Sequence, residues 1–266
     1  MSHTLARRLL AEYLGSAFLA AVVVGSGIAA SQLSPDDTGL ALLENAAATA
    51  TGLFAIILMF GPVSGGHFNP VVSLVDAHFG GLSWRDAFAY IPAQIAGCIT
   101  GAVAANAMFA LAAVSISTHH RASGPHLLAE VIATLGLLLV IFSLARTGRA
   151  TSAPAAVGAY IGAAYWFTSS TSFANPAITV GRMFSDTFAG IAPASGPGFV
   201  AAQLVGGLFA IALIRTLYPD VTPAEAADVV MPHDGAPETI RDGAHQRTCA
   251  SRGVEHASPS RVGATQ

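Results

Sequence analysis

The segments Phe68-Asn69-Pro70-Val71-Val72 and Ala174-Asn175-Pro176-Ala177-Ile178 are near copies of each other, and each interrupts a long apolar stretch. Proline lacks an N–H and clashes with the preceding helical turn, so each Asn-Pro pair must open a helix, with the asparagine as its N-cap. Irregular backbone at the depth of a membrane is tolerated only where protein or a water-filled cavity surrounds it. Two such helix starts therefore indicate a pore, with the Asn-Pro-Val and Asn-Pro-Ala triplets as its central motifs.

The composition is typical of an integral membrane protein. Of the 266 residues, 53% are hydrophobic and 10% are charged, whereas soluble domains carry about 25% charged residues. The two cysteines, Cys98 and Cys249, are too few for a disulfide framework. No basic patch indicates nucleic acid, so the partner that we expect for the surface of this chain is the lipid bilayer.

Six apolar stretches each approach the ~20 residues that a membrane-spanning helix needs. They cover residues 8–30, 40–61, 85–111, 126–146, 153–170 and 198–218. Two shorter apolar segments, about 70–79 and 176–186, follow the Asn-Pro pairs and are too short to cross. These segments predict re-entrant half-helices, so the sequence as a whole predicts an all-α membrane protein.

An internal repeat divides the apolar part of the chain into halves of about 6–111 and 125–218. Ala11-Glu12-Tyr13 recurs as Ala129-Glu130-Val131, and the Ala-Gln-x-x-Gly pattern of 93–97 recurs at 202–206. Each half holds three spans, an odd number, so the second half must be inverted relative to the first. We therefore expect the two half-helices to enter from opposite faces and to meet near the midplane of one channel domain, residues 1–218.

The arginines indicate the orientation of this domain. With the N-terminus inside the cell, only Arg121 of the first eight arginines lies clearly outside, which is the usual bias towards positive charge on the cytoplasmic side. Both termini are then cytoplasmic. Residues 219–266 are polar and punctuated by prolines, and they predict a disordered cytoplasmic tail.

The paired helix starts also predict what the pore admits. A helix N-terminus carries about half a positive charge and several free N–H donors, so cations and hydrated protons meet positive potential from both sides. The amides of Asn69 and Asn175 can donate to the oxygen of an uncharged solute. The alternative is that both asparagines are merely helix caps in loops without function.

Three ionisable residues near these segments have more than one interpretation. Glu12 and Glu130 lie at equivalent places in the repeat, and an intramembrane carboxylate normally faces the protein interior and finds partners there. Each could anchor a half-helix by accepting bonds from loop N–H groups, or the pair could relay protons. Anchoring is favoured because the spans offer no further acid or histidine nearby. His67 could gate the pore with pH, although a tether for its loop is the favoured interpretation.

Taken together, these residues resemble those of the aquaporin and aquaglyceroporin family, the major intrinsic proteins. The resemblance covers about residues 6–218 and rests on both Asn-Pro motifs, Glu12, Glu130 and the two Ala-Gln-x-x-Gly patterns. It implies a passive channel, which in this family is usually a homotetramer with one pore in each subunit.

The sequence departs from the family pattern at the pore. Val71 stands where the family usually has alanine, and Ile178 stands where the family normally has the arginine of the narrowest constriction. By distance from the motifs, the resemblance assigns the remaining constriction positions to Thr49, Ala163 and Ser172. Such a selectivity filter contains no aromatic ring, histidine or cation, so we expect a wide, apolar neck.

Arg182 is the arginine that comes next after Ile178 in the sequence. It lies four residues further on, one helical turn and about 6 Å nearer the outer surface, where it could line a vestibule. The favoured interpretations are an i,i+4 pair with Asp186 or extension of the side chain to the lipid headgroups.

A filter of this kind resembles that of bacterial family members associated with arsenic resistance. The resemblance implies a bacterial inner-membrane channel for arsenite, methylated arsenicals or polyols as well as water. One alternative is an ordinary water or glycerol facilitator, and another is a proton-coupled secondary transporter. No nucleophile–base set, metal-ligand spacing or phosphate loop indicates an enzyme, so we expect no cofactor, no metal ion and no catalytic residue.

Overall fold

The computed structural model describes residues 3–219, and within this range all regular secondary structure is helical. The predicted tail lies outside the described residues except for Pro219. Eight α-helices follow one another along the described part of the chain: α1 (Leu5–Leu33), α2 (Thr38–Ser64), α3 (Pro70–Phe79), α4 (Trp84–Met108), α5 (Gly124–Arg146), α6 (Ala153–Phe167), α7 (Pro176–Gly181) and α8 (Gly196–Leu217).

Five of the helical segments are long and apolar enough to cross a membrane. They are Leu5–Leu33, Thr38–Ser64, Trp84–Met108, Gly124–Arg146 and Pro193–Leu217. The sixth predicted span, 153–170, corresponds to α6, which has 15 residues and is therefore about 22 Å long. The prediction overran its end because the backbone leaves the helix after Phe167 and takes left-handed conformations at Thr171 and Ser172.

The two half-helices begin as the Asn-Pro pairs predict. Asn69 Oδ1 accepts the N–H of Val71 at 3.0 Å. Asn175 Oδ1 accepts the N–H of Ala177 at 2.9 Å and that of Ile178 at 3.3 Å. The second half-helix is shorter than the predicted 176–186, because α7 ends at Gly181 and continues only as the 3₁₀ turn Arg182–Phe184.

The helices pack in two equivalent sets. Helix α1 packs on α2 and α4, and its counterpart α5 packs on α6 and α8. The half-helices cross between the halves, because α3 contacts α8 and α7 contacts α4. Small residues let the backbones approach closely: a Cβ on Gly97 would collide with the carbonyl of Tyr13, and one on Gly206 would lie 2.6 Å from that of Val131. This arrangement is the inverted repeat that the sequence predicts.

Polar contacts define two ends of the bundle. At one end, Arg8 Nη1 lies 3.1 Å from Asp86 Oδ2, which joins the starts of α1 and α4. We call this end the terminal face. At the other end, which we call the loop face, Asp186 Oδ1 accepts the N–H of Thr118 at 2.8 Å and joins two connecting loops.

Candidate pore site

The tips of the two half-helices are joined by reciprocal hydrogen bonds. Asn69 Nδ2 donates to the carbonyl of Ala174 at 2.7 Å, and Asn175 Nδ2 donates to the carbonyl of Phe68 at 2.8 Å. Both asparagines are buried and both line the same cavity. An amide nitrogen carries two hydrogens, so each asparagine keeps one donor beyond the bond between the loops.

The residue before each asparagine has a strained backbone. Phe68 has φ 48° and Ala174 has φ 47°, a left-handed conformation that residues with a Cβ rarely adopt. Such strain of about 1–3 kcal/mol persists only where the surroundings impose it. Here it belongs to the two residues whose carbonyls bind the opposite asparagine.

Two buried glutamates hold these strained loops. Glu12 accepts the N–H of His67 at 3.0 Å and that of Phe68 at 2.7 Å. Glu130 accepts the N–H of Phe173 at 2.9 Å and that of Ala174 at 2.9 Å. Each carboxylate thus binds two successive N–H groups directly before an Asn-Pro pair.

The repeated glutamines complete each anchor. Gln94 Nε2 donates to Glu12 at 2.8 Å and to Ser73 Oγ at 3.0 Å. Gln203 Nε2 donates to Glu130 at 2.6 Å and to Thr179 Oγ1 at 3.0 Å. The sequence marked these glutamines as part of the repeat but did not assign them a contact, although their matched positions beside matched glutamates were the available signal.

A buried acid that the sequence analysis missed lies beside His67 at the first anchor. His67 Nε2 lies 3.4 Å from Asp76 Oδ2, and both side chains are inaccessible to solvent. His67 Nδ1 lies 3.0 Å from Ser73 Oγ. Asp76 was missed because it belongs to the half-helix α3, whereas the prediction considered acids and histidines in the full spans alone.

The cavity beside the paired asparagines is walled by both halves. It has a volume of about 60 Å³, and since one buried water needs about 10–15 Å³ on this measure, it has room for a short file of waters or one small polyol. Its apolar wall is formed by side chains of α1, α2, α3, α5 and α6, namely Leu19, Val23, Leu53, Ile57, Val72, Leu137, Ile141, Val157 and Ile161.

Three of the four expected filter residues line this cavity. They are Thr49, Ser172 and Ile178. The fourth, Ala163, is exposed on the outer side of α6 and is not part of the lining. Tyr165 lines the cavity from α6 in its place, with its hydroxyl 3.2 Å from Thr49 Oγ1. Counting back from the motif failed here because the helical phase, and not the distance along the chain, decides which residues of α6 face inward.

Arg182 also lines the cavity and is 2% exposed. Its Nε donates to the carbonyl of Ala189, and its guanidinium carbon lies 3.5 Å from the ring centroid of Phe173. Asp186 is bound by Thr118 instead, so the favoured pairing of Arg182 with Asp186 is wrong, as is its extension to the headgroups. The cavity accordingly has aromatic rings and a cation in its wall, contrary to the filter that the sequence predicted.

A multi-pass helical bundle whose inverted halves bring two helix N-termini together beside a cavity has the architecture of a membrane channel. The family model "Major intrinsic protein" matches residues 1–174. The chain is 48% identical over 219 residues to "Aquaglyceroporin AqpS" of Rhizobium meliloti (strain 1021), with 82% of this chain and 93% of that protein covered. It is 33% identical over 224 residues to "Aquaporin NIP1-3" of Oryza sativa subsp. japonica, with 79% and 74% covered.

A solved structure has the same fold. The aquaglyceroporin from Plasmodium falciparum aligns with a TM-score of 0.61 and 19% identity over 81% of this chain and 98% of that chain. The chain described here belongs to the major intrinsic protein family. It is therefore an integral membrane channel of the aquaporin and aquaglyceroporin type for water or small solutes, and it is not an enzyme.

Proposed function

We propose that this channel passively conducts small uncharged hydroxylated solutes larger than water, together with water. Arsenite, methylated arsenicals and polyols are the candidate solutes. The observation that carries the proposal is that Ile178 lines the cavity directly after the Asn-Pro-Ala motif, beside the hydroxyl-bearing Thr49 and Ser172. Compared with the arginine that the family normally has at this position, isoleucine leaves more space and provides no hydrogen-bond donor that would favour water.

The wall chemistry supports uncharged solutes. Ten of the twenty lining residues are aliphatic, and their side chains cannot replace the hydration shell of an ion. The N-termini of α3 and α7 meet at the cavity, so their partial positive charges oppose cations from both sides. The remaining N–H donors of Asn69 and Asn175 and the hydroxyls of Thr49 and Ser172 suit a molecule that carries several oxygens.

The choice among solutes rests on chemistry and resemblance. Trihydroxy-arsenic is neutral near pH 7 and is similar in size and hydroxyl content to a small polyol. The name of the relative from Rhizobium meliloti, an aquaglyceroporin, agrees with a pore that passes polyols. We propose that arsenicals use the same path.

We further propose that the protein is a homotetramer in the bacterial inner membrane with both termini in the cytoplasm. The terminal face is then cytoplasmic, in agreement with the arginines at the ends of its helices. Large apolar side chains on the outer surface of the bundle suit lipid or neighbouring subunits, among them Leu10, Phe18, Phe88, Trp166 and Leu208.

The test is arsenite flux into proteoliposomes that contain the purified channel, with equal ion concentrations and equal pH on both sides. We expect arsenite to enter much faster than into protein-free vesicles. Flux of water and glycerol without arsenite would indicate an ordinary facilitator. Absence of flux for every uncharged solute would overturn the proposal.

A second candidate, a proton-coupled transporter, is kept because His67 and Asp76 lie beside Glu12 in the protein interior. It predicts that solute accumulates only when a proton gradient is imposed. The same vesicles, loaded with a pH gradient, distinguish the two candidates.

A further inference from the structure

We propose that Arg121 is a positioning residue of the pore, which sets the selectivity between larger solutes and water by fixing one part of the cavity wall. Arg121 lies in the loop between α4 and α5 and is not part of the cavity lining. It acts through residues 188–190 of the loop that follows α7. This inference rests on the proposed function and names a residue that shapes the path of the solute without touching it.

The side chain of Arg121 binds two carbonyls of the loop after α7. Its Nε donates to the carbonyl of Gly190 at 2.7 Å, and its Nη2 donates to the carbonyl of Phe188 at 3.0 Å. Both nitrogens belong to one planar guanidinium group, so the two bonds fix its orientation as well as its position. The loop after the second half-helix is therefore tied to the loop that connects the two halves of the channel.

The carbonyl between these two belongs to Ala189, and it binds the wall of the cavity. Arg182 Nε donates to it, and Arg182 lines the cavity. Three successive carbonyls, those of residues 188–190, thus accept hydrogen bonds from two arginines, one behind the wall and one in it. Because each peptide group is a rigid plane, fixing the outer two carbonyls limits the directions that the middle one can take.

Both guanidinium groups also lie near the ring of Phe173, which lines the cavity. The guanidinium carbon of Arg121 lies 5.6 Å from the ring centroid, and that of Arg182 lies 3.5 Å from it. Phe173 is itself held by Glu130, which accepts its N–H at 2.9 Å, and by Phe199, with ring centroids 5.1 Å apart. Arg121 therefore contacts the same part of the wall through a second residue.

The backbone of Arg121 is held independently of its side chain. Ser195 Oγ accepts the N–H of Arg121 at 2.9 Å and that of Ala122 at 3.1 Å. His126 Nδ1 lies 2.7 Å from the carbonyl of Arg121. The side chain is half-buried, and desolvation of its charged form lowers the pKa of the guanidinium group. A fixed backbone carries this group to one place, where it can hold residues 188–190.

The small size of the cavity makes the position of its wall important. Its volume of about 60 Å³ holds one small polyol. Loss of the Arg121 side chain removes the donors to Phe188 and Gly190 and leaves the Ala189 carbonyl free to turn. Arg182 then loses its fixed partner, and its long side chain can extend into the lumen. Such an obstruction excludes a polyol before it excludes a file of waters.

The experiment compares the wild-type channel with Arg121→Ala and the matched control Ser195→Ala in proteoliposomes. Ser195→Ala also removes two hydrogen bonds from this loop, but it leaves the bonds to Phe188 and Gly190 in place. Glycerol and water permeabilities are measured by stopped-flow light scattering, and the Tm is measured in detergent. We expect the glycerol-to-water permeability ratio to fall about fivefold in Arg121→Ala and by less than about twofold in Ser195→Ala, although both variants lower the Tm.

Chemical rescue separates positioning from a general loss of structure. Guanidinium chloride is added to both sides of the vesicles at millimolar concentration, far below denaturing levels. The free guanidinium ion can occupy the space that the side chain leaves in Arg121→Ala and donate to the same carbonyls. We expect the glycerol-to-water ratio to recover in Arg121→Ala and to stay unchanged in Ser195→Ala. Arg121→Lys keeps the charge but lacks the planar fork, so it should restore the ratio only in part.

The outcomes distinguish this inference from the proposed function. Elution as a single species in gel filtration is the folding check, and if Arg121→Ala does not fold, the ratio in Arg121→Lys decides. An unchanged ratio in a folded variant, an equal fall in Ser195→Ala, or a fall that guanidinium does not reverse would overturn the inference and leave the proposed function standing. A wild-type channel that conducts water but neither glycerol nor arsenite would overturn both.

Discussion

Asp76 and Arg182 occupy equivalent positions in the two inverted halves, each seven residues after the asparagine cap of its half-helix, and they carry opposite charges. Asp76 lies 3.4 Å from His67 on the side towards the terminal face, whereas the guanidinium carbon of Arg182 lies 3.5 Å from the ring centroid of Phe173 on the side towards the loop face. The two halves share their helix packing, caps and glutamate anchors, but Arg182 lines the cavity and Asp76 does not. The two halves therefore share one architecture, although α7 is shorter than α3, and they place opposite charges at this position.

The bonds between the helix tips can be tested with Asn69→Asp. The new carboxylate keeps the cap but presents an oxygen to the carbonyl of Ala174, where the amide donated at 2.7 Å. We expect a lower Tm in detergent and a lower water permeability per folded channel. Asn45→Asp is the matched control, because it loses a buried amide bond to the carbonyl of Val23, and Asn45 itself does not line the cavity. Asn45→Asp should lower the Tm without lowering the water permeability. Equal permeability losses in both variants would contradict the assignment of Asn69 to the pore.

The anchoring glutamates can be tested with Glu12→Gln. Glu12 accepts four hydrogen bonds, from Ser64, His67, Phe68 and Gln94. The NH2 group of a glutamine side chain would face some of these donors and could not accept hydrogen bonds from them. Hydrogen bonds to a charged group are worth about 1.5–3 kcal/mol each, so the Tm should fall clearly. Glutamine at the half-buried Glu44, which accepts one side-chain hydrogen bond, from Ser34, should have a smaller effect. Solute transport should be independent of a proton gradient in wild type and variant, and coupling that disappears in Glu12→Gln would instead favour a transporter.

The constriction can be tested with Ile178→Arg. A long charged side chain beside Thr49 and Ser172 narrows the cavity that these three residues line. We expect glycerol flux to fall by about tenfold, and water flux by less, because larger solutes are excluded first. Ile178→Val, which keeps the space and the apolar surface, is the control. A rise in glycerol flux in Ile178→Arg would show that Ile178 lies away from the narrowest point.

The close packing of α5 and α8 can be tested with Gly206→Ala. A Cβ on Gly206 would lie 2.6 Å from the carbonyl of Val131, whereas one on Gly124 would meet no atom within 4 Å. Overpacking of this kind destabilises by about 1–3 kcal/mol. Thermal unfolding in detergent should therefore give a lower Tm for Gly206→Ala and a nearly unchanged Tm for Gly124→Ala. Similar values for the two variants would argue against the close approach.

The loop face should respond to acid through Asp186. The N–H of Thr118, with further help from its hydroxyl and from His119, holds the pKa of Asp186 below its ordinary value of 3.8. Because the folded state has the lower pKa, the stabilisation is present above about pH 4 and is lost as the pH falls through the folded-state pKa. Asp186→Asn should lower the Tm at pH 7 and flatten its decline below about pH 4. Asp36→Asn, at an exposed position on the same face, should leave the acid profile of the wild type unchanged.

The sequence predicted the parts of the site that depend on local chemistry. An Asn-Pro pair opens a helix wherever it occurs, and the repetition of Glu12 as Glu130 predicted matched anchors whose hydrogen bonds are present. Parts that depend on helix phase and loop path were not predicted. Ala163 was assigned by counting, while the turn of α6 presents Tyr165 to the cavity. Arg182 is held by Ala189, a residue of a later loop whose path no local pattern specifies.

The most direct test of a passive pore for uncharged solutes is the stopped-flow swelling of wild-type proteoliposomes in glycerol, with identical salt and pH on both sides, combined with ion current in a planar bilayer. The account predicts rapid swelling above the protein-free rate and no measurable current. Swelling no faster than in protein-free vesicles, or swelling accompanied by an ion current, would contradict it.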